Sequence, residues 1–158
     1  MTMKRLLIIL LLVATSLGTV EAQRQKKNPK DNPEIEELGY VRNTYSRLTK
    51  RTIEGRDYYV YSSQSSEHYD EPFKLLFTTA KEAIKSFAHL QIFAEREQNN
   101  TSITFANDGR MITASKGKFI GKPYITFTVE GMEGEAQISV KEIEKAIKIL
   151  SKYIEAEE

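Results

Sequence analysis

Apolar residues recur in this chain with three different spacings, and each predicts a different element. Near the start they are continuous: Leu6 to Val13 is an unbroken run of eight. Further on they alternate with polar residues. Ile103 and Phe105 alternate with Ser102 and Thr104, and Ile125, Phe127 and Val129 alternate with Tyr124, Thr126, Thr128 and Glu130. Period two puts one side of a strand in the core and the other in water. In two more stretches the apolar positions return every three or four residues, the spacing of one helix face. Phe73, Leu76, Phe77, Ala80, Ile84, Phe87 and Ala88 do so, widened by Leu75, Ala83, Leu90 and Ala94. Val140, Ile143, Ile147, Leu150 and Ile154 do so again.

Cap and turn residues set the expected boundaries. The first helix is expected from a cap at Asp70 or Glu71, with Pro72 in its first turn, to about Gln98. The last helix opens on Ser139-Val140-Lys141-Glu142, a capping box. Glu54-Gly55 predicts a hairpin between Tyr45–Ile53 and Arg56–Ser62, and Asn107-Asp108-Gly109 predicts another. Lys116-Gly117-Lys118 and Gly131 to Gly134 are further turn candidates, and Glu135–Ile138 suits a last short strand. Ile35, Leu38 and Val41 fit either a helical turn ending at Gly39 or the lead-in to a strand. The segment Ser62–Asp70 (SSQSSEHYD) is a polar loop, and no internal repeat is visible. The expected order is β-β-α-β-β-β-α: an α+β, two-layer domain with one mostly antiparallel sheet of about five strands packed by two helices.

The continuous run changes the picture of the first residues. Lys4 and Arg5 precede it, and Val20-Glu21-Ala22 follows as a small-x-small cleavage site. Residues 1–22 therefore match a secretory signal peptide cleaved near Ala22/Gln23, with a periplasmic or extracellular destination. The run is too short for a bilayer span, so no stable membrane insertion is expected after cleavage. The chain has no cysteine, which excludes disulfides, thiolate chemistry and an acyl anchor on an N-terminal cysteine. Residues 23–33, with Arg24, Lys26, Lys27 and Lys30 and no apolar side chain before Pro33 apart from Pro29, are expected to be a flexible basic linker. Residues 34–158 are expected to be one domain. The whole chain carries 23 basic and 22 acidic residues; the leader takes Lys4, Arg5 and Glu21 with it, leaving 21 of each. Such a balance argues against nucleic acid as a partner.

Candidate chemistry concentrates in Tyr58–Glu71 (YYVYSSQSSEHYDE). Tyrosines give contact area at low entropy cost, and serines adapt their hydrogen bonds, as in binding loops. Tyr58, Tyr59, Tyr61, Gln64, His68 and Tyr69 are the binding candidates, with Tyr59 and Tyr61 on the solvent face of a strand. Glu67, His68, Asp70 and Glu71 offer oxygen and imidazole ligands. Their spacing matches no ligand motif, so neither a metal nor any other cofactor is expected. No nucleophile elbow is present, and Gly117 to Pro123 lacks both the glycine spacing and the Ser/Thr of a phosphate loop. Lys141, Lys145, Lys148 and Lys152 line the polar face of the last helix, where solvated charge is ordinary. Asn99 and Asn100 each head a glycosylation sequon, relevant only in a eukaryotic secretory route.

Three functions compete at this level. The first is a non-enzymatic binding module for a protein, peptide or glycan through the Tyr/Ser-rich surface. The second is a small metal-dependent hydrolase centred on His68. The third is a periplasmic protein inhibitor acting through a hairpin tip, Glu54-Gly55 or Asn107–Gly109.

Overall fold

The structure, a computed structural model, describes residues 33–64 and 72–157. Among the described residues there are eight strands and two helices: β1 (Glu34–Arg42), β2 (Ser46–Ile53), β3 (Arg56–Ser63), β4 (Phe73–Phe77), α1 (Ala80–Arg96), β5 (Ser102–Asn107), β6 (Arg110–Phe119), β7 (Lys122–Val129), β8 (Glu135–Ser139) and α2 (Val140–Glu157). The class is α+β with two helices, as the periodicity predicts, but the strands form two antiparallel sheets of four. Their orders are β1-β2-β3-β4 and β5-β6-β7-β8, so a four-strand meander followed by a helix occurs twice. The residues of the two halves do not repeat, although the element order does.

Two expected boundaries are corrected. Phe73–Phe77 is a strand, and α1 starts only at Ala80. Phe73, Leu75 and Phe77 alternate into the core, and the cap is Thr79, whose Oγ accepts from the Glu82 N–H at 3.0 Å. Glu82 reaches back to accept from the Thr78 N–H (2.8 Å) and hydroxyl (2.6 Å). Those bonds hold its carboxyl below the usual range. The turn expected at Lys116–Lys118 lies instead at Ile120-Gly121, because β6 continues through Gly117 to Phe119. Hairpin turns at Glu54-Gly55, Asp108-Gly109 and Ile120-Gly121 all have positive φ at both residues, the twist that suits two-residue hairpins. The capping box on α2 forms as read: the Ser139 N–H donates to Glu142 at 2.7 Å, and the Glu142 N–H donates to Ser139 Oγ at 3.3 Å.

Each helix packs on both halves. α2 lies against β1 of the first sheet and β8 of the second; α1 lies against β4, β6 and β7; and the helices pack on each other. Gly39 allows the close approach of α2, since a Cβ there would lie 3.2 Å from the Ile149 side chain. One buried cluster runs through the inner faces of both sheets and the facing helix sides, including Leu48, Tyr61, Leu75, Phe87, Phe127, Ile138, Ile143 and Leu150. Phe73 on β4 stacks on Phe127 on β7 at 4.9 Å. The sheets also meet through one side chain. Asn107 accepts from the Leu76 N–H and donates to the Leu76 carbonyl, both at 2.8 Å, so its carboxamide stands in for a strand partner on β4.

Candidate binding surface

The tyrosine strand presents the opposite face from the one expected. In β3, Tyr61 stands opposite Leu48 on β2 and Leu75 on β4, and Tyr59 stands opposite Lys50 and Phe77. That register turns both rings towards the helices. Tyr61 is 1 % exposed and meets Phe87 of α1 edge-on at 5.6 Å. Tyr59 is buried against Tyr153 of α2, edge-on at 6.1 Å. The two rings are core residues and cannot form a solvent-facing platform. Tyr58 points the other way and is half-buried opposite Arg51. Gln64 is exposed, and its N–H donates to the Tyr45 carbonyl at 2.9 Å. His68, Tyr69, Glu67, Asp70 and Glu71 lie outside the described residues. Among the described residues, no three His, Asp or Glu side chains converge on a point suited to a metal ion.

The hydroxyl of Tyr61 lies near those of Ser46 and Ser63 without a hydrogen bond of good geometry. Burial pushes its phenol up to about 12. Glu142 Oε1, beneath the start of α2, sits 3.7 Å from Arg42 Nε. The other histidine, His89, is exposed at the mouth of a cleft of about 300 Å³ between β4, α1 and β5. Leu75, Phe77, Leu90 and Phe105 line the cleft. Glu82 at its edge is engaged by Thr78.

The second sheet carries the more informative surface. Its inner residues Ile112, Ala114, Ile125, Phe127, Ala136 and Ile138 are buried under the helices. Lys116 also faces inward, 5 % exposed, and its ammonium donates to the Glu97 carbonyl at the end of α1. A cation there complements the negative end of the helix. The opposite face is open. Register aligns its side chains in two rows across the strands: Ser102, Ser115, Thr126 and Gln137 in one, and Thr104, Thr113, Thr128 and Glu135 in the next. Rows and columns are spaced about 4.8 Å across strands and about 6.7 Å along them. Ser102 and Ser115 share a hydrogen bond of 2.8 Å, and Thr104 and Thr113 one of 3.1 Å. Gln137 donates to Glu135 at 3.2 Å. The chain is 28 % charged, yet the centre of this face holds no charge. Charged positions, Lys122, Glu130 and Glu135 among them, lie at its margins.

Tyr124 completes the face. It stands directly opposite Gly117, and a Cβ on that glycine would lie 2.5 Å from the ring's Cζ and 2.7 Å from its hydroxyl. The ring therefore lies across the β6 backbone, in space that only glycine leaves open. Beyond it, at the tip of the β6–β7 hairpin, Ile120 is 84 % exposed at a φ of 49°. A β-branched residue in that conformation is strained.

Comparison with known proteins adds no relative. No family model, curated protein or solved structure matches the chain.

Alternation puts Tyr124, Thr126 and Thr128 on the outward side of one strand but does not join them to Ser102, Thr104, Thr113 and Ser115. Their common signal is the recurrence of hydroxyls at alternate positions in three neighbouring strands. The residues point to a turn at Gly117, whereas that glycine accommodates the Tyr124 ring and Ile120 takes the turn position.

Proposed function

We propose that the chain is an exported, non-enzymatic binding module whose recognition surface is the open face of the second sheet. The observation that carries this reading is the make-up of that face: aligned, uncharged Ser, Thr and Gln side chains beside one aromatic ring. Short hydroxyl side chains lose little rotamer freedom when a ligand orders them, and threonine is already stiff at χ1. Lysines and glutamates, the ordinary cover of a solvated sheet, would lose far more. The absence of basic residues from its centre disfavours nucleic acid and other polyanions. Export rests on the leader-like sequence of residues 1–22, and the module would act in the periplasm or outside the cell.

The test is affinity capture from native cell-envelope material with the chain beginning at Gln23. Two variants are compared with the parent: Thr113→Lys with Thr126→Lys on the open face, and Lys145→Glu on the lysine face of α2. Material retained by the parent and by the α2 variant, and lost by the open-face variant, supports the proposal. Equal retention by all three overturns it.

A second reading has its own observation. A strained, exposed isoleucine at a hairpin tip suits a protein inhibitor that inserts the tip into a partner's apolar pocket. The tip would be Ile120-Gly121, in place of Glu54-Gly55 or Asn107–Gly109. Capture of a protein that is lost with Ile120→Asn, yet kept by the open-face variant, would replace the first reading with this one.

A further inference from the structure

We infer that the open face of the second sheet binds an uncharged glycan chain, with one sugar ring seated on Tyr124. This inference rests on the proposed binding role of that face and names its ligand class. Three features select the class.

The first is charge. The two rows of side chains carry no charge at their centre, so a polyanion or polycation finds no partner there, whereas a neutral polyol meets no desolvated ion. The second is hydrogen-bonding character. Each Ser or Thr hydroxyl both donates and accepts, as sugar hydroxyls do. In the pairs Ser102–Ser115 and Thr104–Thr113 one donor is used between the two oxygens, leaving one donor and several lone pairs facing outward. A peptide, in contrast, seeks the unpaired backbone groups of a sheet edge. The backbone of β6 and β7 is paired on both sides. A typical protein partner is held by aromatic, apolar or arginine anchors at the centre of the patch, whereas here Tyr124 and the exposed Met111 lie at opposite ends of the hydroxyl rows.

The third feature is the Tyr124–Gly117 pair. The missing Cβ at Gly117 lets the ring lie over β6 instead of standing clear of the sheet. A ring held that way presents one face to the backbone and the other outward. The outward face can stack on the C–H side of a pyranose while the neighbouring hydroxyl rows take its O–H groups. From Tyr124 to Thr128 the strand advances about 13 Å, room for a chain of more than one sugar.

The experiment titrates the protein from Gln23 with short neutral oligosaccharides of glucose, galactose, mannose and N-acetylglucosamine, and with an oligouronate, following tyrosine fluorescence and heat. At least one neutral series should bind, with affinity unchanged between about 50 mM and about 500 mM salt, because no ion pair is formed. Tyr124→Ala should weaken binding about tenfold or more, as expected for loss of one aromatic contact. Gly117→Val, which drives the ring off the sheet, should do the same, and Tyr124→Phe should bind like the parent. Melting curves of the variants separate loss of binding from loss of fold. Tyr124→Leu serves as the second variant should Gly117→Val fail to fold. Binding by the oligouronate alone, no binding by any neutral series, or equal binding by Tyr124→Ala overturns the inference. If the parent captures an envelope protein that the open-face variant loses, the glycan inference falls and the binding-face reading stands. If that variant loses nothing, both fall.

Discussion

Replacing Tyr61 by Phe separates a core tyrosine from a surface one, with a sign that changes with pH. The ring is 1 % exposed and packs edge-on against Phe87 at 82°, and phenylalanine keeps that contact. Only the hydroxyl goes, and it has no hydrogen-bond partner. Removing a bonded hydroxyl costs about 1 kcal/mol, whereas removing a buried unbonded one is neutral or stabilising. Near pH 8, where the Tyr61 phenol is protonated in the folded and the unfolded chain alike, the variant should be at least as stable as the parent. At alkaline pH the parent falls behind. The folded phenol is pushed up from 10.0 to about 12, so the unfolded chain sheds that proton first. The stability tied to this phenol is whole below pH 10 and is lost progressively as pH rises from 10 to 12. Two pH units correspond to roughly 2.5–3 kcal/mol in all, with about 1.4 kcal/mol already gone at pH 11. The assay is urea denaturation of both proteins at pH 8, 10 and 11, with tyrosinate absorbance followed in parallel. All other side chains are common to the two proteins, so their contributions cancel in the difference. Parallel alkaline losses would refute the burial argument. A variant about 1 kcal/mol less stable than the parent at pH 8 would show that the hydroxyl is bonded after all.

Three further predictions test other joints of the fold. Asn107→Ala removes two 2.8 Å bonds to the Leu76 backbone and should cost roughly 2 kcal/mol, with faster hydrogen exchange at the Leu76 amide; an unchanged exchange rate there would refute the bridge. Ile120→Asn relieves a β-branched residue held at a φ of 49° and should stabilise the protein by about 1 kcal/mol, read as a higher Tm; a lower Tm would mean that the isoleucine contributes packing its exposure does not suggest. Ser139→Ala deletes the acceptor for the Glu142 N–H and should cost about 1 kcal/mol, with the loss of exchange protection confined to the first turn of α2.

How far the residues revealed the fold depends on how many rules agreed at each place. At α2 the capping box, the apolar stripe and the lysine face all pointed one way, and the helix begins where they put it. At Phe73–Phe77 two periods competed. Phe73, Leu76, Phe77 and Ala80 fit a helix face, while Phe73, Leu75 and Phe77 fit a strand. The dispute is settled at Thr78 and Thr79, which bond to Glu82 and so can open a helix only at Ala80. In Tyr58-Tyr59-Val60-Tyr61 every position is apolar or aromatic, so the pattern has no parity, and the inward side cannot be read from β3 alone. It is fixed by partners distant in sequence: Leu48 and Leu75 flank Tyr61, and Phe87 covers it. A one-residue slip would have exchanged the two faces.

The second sheet escapes that ambiguity. Ser-Ile-Thr-Phe and Tyr-Ile-Thr-Phe-Thr-Val have unmistakable parity, and the outward hydroxyls follow from it directly. What the pattern lacks is register. Alternation places Thr113, Thr126 and Thr104 outside, but only the pairings Thr104 with Thr113 and Ser115 with Thr126 turn separate residues into rows. The same holds for Gly117, which looks like a turn glycine until Tyr124 is found opposite it. The candidate surface is thus legible residue by residue and invisible as a surface, because its regularity belongs to the pairing of strands. A face of this kind is lost by a slip of β6 against β7 even when every side chain on it is kept. That makes the Gly117–Tyr124 contact, which clashes with any larger residue at 117, its most sensitive point.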